Sequence, residues 1–66
     1  MKLLTFITTD KRTFIIKLDH FIRIEAFEDY AFIFFNIHDT YVAIQQEEIS
    51  LEQTHIVLNQ IKLNQI

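Results

Sequence analysis

Ala31-Phe32-Ile33-Phe34-Phe35-Asn36-Ile37 (residues 31–37) decides the fold, because its apolar residues fall on both alternating faces. A strand with one wet face alternates apolar and polar side chains; a run without that alternation belongs in the middle of a sheet. Working outward, residues 21–27 (FIRIEAF) place Ile22, Ile24 and Ala26 on one face, with Phe21, Arg23, Glu25 and Phe27 on the other. Residues 40–45 (TYVAIQ) set Val42 and Ile44 against Tyr41 and Ala43. Residues 13–18 (TFIIKL) group Phe14, Ile16 and Leu18, and residues 3–8 (LLTFIT) are short and rich in β-formers. The pattern predicts five strands.

Asp10, Asp19, Asp29 and Asp39 stand between these runs, in a chain that contains no glycine or proline. Aspartate bonds its own backbone two residues on and tolerates the left-handed region better than most residues. The links are too short for a parallel crossover, so neighbouring strands are expected to be antiparallel. After the strands the period changes. Ser50 begins a capping box with Gln53 reaching back, and a helix follows over about residues 51–65. Leu51, Thr54, Val57, Leu58 and Ile61 share its main face, while Ile56 and Leu63 form a second apolar strip. The expected architecture is α+β and mostly β. It is a single domain over residues 1–66, a five-stranded antiparallel sheet or small barrel followed by one C-terminal helix.

Composition removes most chemistry. Without cysteine there is no disulfide framework, thiol nucleophile or zinc-finger spacing. Without glycine there is no phosphate-cradling loop or nucleophile elbow. Ser50 is the only serine and serves as a helix cap. Asp19-His20 and His38-Asp39 are sequence neighbours, which lacks the geometry of an acid orienting a base from a separate element. No His-x-x-x-His pair marks a metal site. The expectation is a protein that is not an enzyme and has no cofactor and no metal.

The longest apolar run, Tyr30 to Phe35, is far shorter than the roughly 18 residues that span a bilayer. Met1-Lys2-Leu3-Leu4 is interrupted too soon by Thr5, Thr8, Thr9 and Asp10 to read as a signal peptide, so no membrane partner and a cytoplasmic location are expected. Nine acidic residues oppose six basic ones, giving a net charge of −3 that disfavours a broad phosphate-binding surface.

What remains is binding. A domain this small is marginal alone and gains stability from association when disulfides and metals are missing. Ile56, Leu63, Phe21 and Phe27 are the expected homodimer interface. Glu25, Glu28, Asp29, Glu47 and Glu48 are the expected acidic face for another protein, one with a basic surface.

Two families have a similar layout. Leu4-Thr5 in the first strand and Val42-Ala43-Ile44-Gln45-Gln46-Glu47-Glu48-Ile49 in the last resemble the carbon storage regulator family (CsrA/RsmA), small dimeric RNA-binding proteins. The resemblance covers about residues 3–50 and implies an RNA-binding translational regulator, with Leu4, Thr5, Arg12 and Arg23 near the ligand. At the positions of the family's RNA-contacting cations this chain carries Phe6, Gln45 and Gln46, so the resemblance speaks more for a dimeric fold than for RNA. Thr13-Phe14-Ile15 running into Leu18-Asp19-His20-Phe21-Ile22-Arg23-Ile24-Glu25, with Tyr41-Val42 before an acidic helix, also resembles the flagellar FlbD-like family. The leading expectation is a non-enzymatic homodimeric regulator or inhibitor working through protein–protein contacts.

Overall fold

The computed structural model describes residues 2–37 and 43–64. In chain order it contains β1 (Leu3–Ile7), β2 (Thr13–Lys17), one 3-10 turn (Leu18–His20), β3 (Phe21–Ala26), β4 (Ala31–Asn36), β5 (Ile44–Ile49) and α1 (Leu51–Leu63). The α+β class, the antiparallel pairing and the C-terminal helix agree with the sequence pattern. A single five-stranded sheet does not form: β1 pairs with β2, and β3, β4 and β5 make a separate sheet with β4 in the middle. The 3-10 turn accounts for the division, because it separates two extended segments and turns the chain where a β2–β3 ladder would otherwise begin.

The core lies between the two sheets and the helix. Leu4, Phe6, Ala31, Ile33, Phe35, Ile49 and Val57 are its buried members, with Phe14, Ile16, Leu18, Phe21, Ile24 and Ile61 packed around them. Phe6 stacks on Phe14 at 5.3 Å between ring centroids, and Phe35 meets both rings edge-on at 5.5 and 5.6 Å. Edge-to-face contact suits the quadrupoles of the rings, and each buried phenyl also removes a large apolar area from water.

Three strand details depart from the sequence reading. First, β5 runs over Ile44–Ile49, four residues past the expected end at 45; of the expected span, 40–42 lie outside the described residues, as does Asp39. The polar run Gln45-Gln46-Glu47-Glu48 is itself strand, with Glu47 opposite Ile33 and Glu48 opposite Phe32. Second, the β3–β4 register slips between Phe21 and Arg23. This bulge at Ile22 places Phe21 beside Phe35 and turns its ring toward the core instead of the charged face. Third, Ala26 keeps the inner face, opposite the buried Ala31, yet is exposed at the end of the strand.

The β1–β2 turn shows how a glycine-free chain makes a tight hairpin. Lys11 N donates to the Thr8 carbonyl at 3.0 Å, and Thr8 N to the Arg12 carbonyl at 2.9 Å. Lys11, not Asp10, takes the left-handed conformation, with φ of 70°. Asp10 contributes through its side chain, accepting hydrogen bonds from the Thr8 hydroxyl and from Arg12 Nε. The buried Thr8 hydroxyl also accepts from Arg12 N at 3.0 Å, so its polar atom is satisfied.

Helix α1 begins as expected, with Gln53 N donating to Ser50 Oγ at 3.1 Å. Gln53 does not complete a capping box, because its side chain is used elsewhere. Its Oε1 accepts from Ile7 N at 3.1 Å, while Gln60 accepts from Thr5 N at 3.0 Å and donates to the Thr5 carbonyl at 2.7 Å. Two glutamines seven residues apart share one side of a helix, and here that side lies along the open edge of β1. Their amides make the bonds that a neighbouring strand would make. Thr54 and Val57 are buried beneath them, whereas Leu58, expected on the same face, is 49% exposed. No helix among the described residues is long and apolar enough to cross a membrane.

Candidate binding face

One face of the three-stranded sheet lines the core; the other is open. Alternation and register order its residues into rows. Arg23, Phe34 and Gln46 lie side by side, then Glu25, Phe32 and Glu48. Beyond them the hairpin turn carries Phe27 and Tyr30, joined by a 2.7 Å bond from Phe27 N to the Tyr30 carbonyl. Residues directly opposite on one face of neighbouring strands interact through their side chains, so these rows are contacts across the sheet.

Aromatic rings dominate the centre. Phe27 stacks on Tyr30 at 5.2 Å, and Phe32 meets them edge-on at 5.9 and 5.4 Å. Phe27 and Tyr30 remain 48% and 37% exposed, so the cluster is a surface feature. Next to it, Arg23 lies over the Phe34 ring at 4.1 Å while its Nε donates to Glu25 at 2.8 Å. That stacked guanidinium covers Phe34, which is buried although it is on the outer face. Glu28, Asp29 and Glu48 are exposed and make no ion pair among the described residues.

The five acidic residues singled out from the sequence therefore separate. Glu25 and Glu48 flank Phe32, and Glu28 and Asp29 form the turn beside the ring cluster. Glu47 faces the other way. Its side chain is only 11% exposed and is bound by the Arg12 guanidinium and by the Gln45 amide. Arg12 also binds Asp10 at 2.9 Å and lies over the Phe14 ring at 5.2 Å, clasping the β1–β2 hairpin to β5. Hydrogen bonding from Thr8, and then the Arg12 guanidinium, hold the Asp10 carboxyl below its ordinary value. Glu47, and then Asp10, raise the Arg12 value further. A backbone bond from Thr9 N to the Glu48 carbonyl, 3.0 Å, adds to the same junction.

Of the residues assigned to a dimer interface, Ile56 and Leu63 are exposed on α1, at 40% and 74%, and Phe27 is exposed on the open sheet face. Phe21 is half-buried against the core. Of those assigned to RNA, Leu4 is fully buried, Thr5 has its backbone bound to Gln60, and Arg12 and Arg23 each hold carboxylates. His38 and Asp39 lie outside the described residues. Among the described residues no group of three or more histidines and carboxylates is placed to hold a metal ion. The sequence reading missed Tyr30 and Phe32 as site residues. The signal was present: 27, 30 and 32 fall on one face once a two-residue turn is placed at Glu28-Asp29.

Comparison of the chain with protein-family models, with curated proteins and with solved structures finds no match.

Proposed function

We propose that this chain is a non-enzymatic binding protein, a regulator or inhibitor whose working surface is the open face of β3, β4 and β5. Its partner is a protein segment carrying arginine or lysine. The observation that carries the reading is the exposed Phe27–Tyr30–Phe32 cluster ringed by Glu25, Glu28, Asp29 and Glu48. Exposed rings bordered by carboxylates receive a cation in two ways at once, through the ring faces and through charge-assisted hydrogen bonds. The molecule uses the same arrangement internally at Arg23, which is held between Phe34 and Glu25. A partner's arginine on Phe27 or Tyr30 repeats that geometry between chains.

The RNA-binding alternative draws on Arg12 and Arg23. Both guanidiniums already hold carboxylates, which weighs against their serving as phosphate contacts.

The test is a titration of the isotope-labelled chain with a short peptide alternating arginine and leucine, followed by amide shifts. Binding is expected to move residues 25–32 and Glu48, and Glu25→Lys with Glu48→Lys is expected to abolish it while the fold persists. Shifts centred on Arg12, or saturable binding of a single-stranded RNA oligomer in place of the peptide, would overturn the reading.

A further inference from the structure

We infer that the outer face of β1 and β2, together with the Ile56–Leu63 strip of α1, is a self-association surface on which a second copy of this chain sits. The inference is independent of the acidic aromatic face, which lies on the other sheet.

On β1, Leu4 and Phe6 point into the core, so Leu3, Thr5 and Ile7 face outward, and their register partners on β2 are Lys17, Ile15 and Thr13. Leu3, Ile7 and Ile15 are 48%, 42% and 64% exposed. The helix extends this face. Gln53 and Gln60 aim at the β1 edge, which fixes the rotation of α1. At about 100° per residue, Val57 and Ile61 turn from the glutamines toward the core. Ile56 and Leu63 turn the opposite way, to the side on which Leu3, Thr5 and Ile7 lie. Five exposed aliphatic residues on sheet and helix thus border the glutamine seam.

Charge decides the occupant. A two-fold dimer brings a patch against its own copy, so any charge at the centre meets itself. The open face of β3, β4 and β5 carries Glu25, Glu28, Asp29 and Glu48, and its pairing with itself is opposed by like-charge repulsion. The middle of the β1–β2 face holds Thr5, Ile7, Thr13 and Ile15, all uncharged, and its charges stand at the two ends, Lys17 at one and Lys11 with Glu52 of α1, beside Ile7, at the other. A standard interface takes about 800 Å² per partner, about a sixth of this chain's 4689 Å². Large exposed apolar patches on small soluble domains mark interaction sites. A chain without disulfides also gains from association what a small core does not supply.

Sedimentation equilibrium of the purified chain across a wide concentration range tests the inference. The expected result is a mass of twice the 8.0 kDa chain. Ile15→Glu alone, and Leu63→Glu alone, are each expected to weaken the dimer by about 100-fold or more, because each buries an unpaired charge twice per dimer. Both residues are well exposed, so circular dichroism of either variant is expected to match the wild type. A wild-type chain that stays a folded monomer at millimolar concentration overturns the inference. So does a dimer that survives both variants and falls apart with Phe27→Glu. Neither outcome bears on peptide binding by the acidic face, which is read separately by amide shifts.

Discussion

Glu47 and Glu48 are adjacent in sequence and lie on opposite faces of β5. Glu47 faces inward, opposite Ile33, and is nearly buried in the clasp of Arg12 and Gln45. Glu48 faces outward, opposite Phe32, and is exposed without an ion-pair partner among the described residues. The inner face of the sheet spends its one acid on joining two sheets. The outer face leaves its acids open around a ring cluster. Two identical residues one step apart thus show the difference between a carboxylate that stabilises the fold and one that is available to a partner.

The comparison can be tested at several depths. The largest effect is expected at the inner aromatic contact: Phe35→Ala removes a ring that touches both Phe6 and Phe14 and costs about 3–5 kcal/mol. For a chain this small that approaches the whole stability, at about 0.05–0.15 kcal/mol per residue. Urea denaturation of the variant measures it. Next comes Glu47→Ala, which leaves Arg12 with Asp10 as its remaining carboxylate and takes the acceptor from the Gln45 amide. Arg12 is half-exposed and recovers some hydration, so about 1–2 kcal/mol is expected by the same measurement.

A smaller effect follows acidification. The Asp10 carboxyl is held below its ordinary value, so the stability it contributes is complete above the ordinary carboxylate range. That stability is lost as pH falls through its lowered value. Asp10→Asn is expected to flatten that part of the stability-against-pH curve, and an unchanged acid limb would show that Thr8 and Arg12 do not hold the charged form. Smallest is Glu48→Ala, expected to shift stability by no more than about 0.5 kcal/mol while weakening capture of the arginine–leucine peptide. If Glu48→Ala destabilises as much as Glu47→Ala, the division of labour between the two faces is wrong.

Much of this was legible in the residues. Four strand starts, the antiparallel pairing and the Ser50 cap follow from period, turn residues and capping chemistry, all of which are local. The open ring cluster was partly legible, since Phe27 and the acids beside it were visible as an exposed face. What escaped depends on contacts between distant residues. Gln45-Gln46-Glu47-Glu48 looks too polar for a strand until Arg12, thirty-odd residues earlier, supplies the charge that lets Glu47 sit inward. The bulge at Ile22 leaves no mark in the alternation of residues 21–27, yet it decides whether Phe21 is core or surface. Gln53 fits a capping box equally well, and only the nearness of β1 draws its amide away.

The two glutamine arms of α1 have a consequence for how the protein fails. Amide exchange at Thr5 and Ile7 reports the swinging out of the helix directly, since those protons are held by side chains of α1. A molecule with α1 detached is left with an unsheathed strand rich in β-formers, a template on which further chains assemble into fibrils. Replacing Gln60 with a residue too short to reach β1 is therefore expected to speed aggregation, followed by light scattering, before global stability has fallen far.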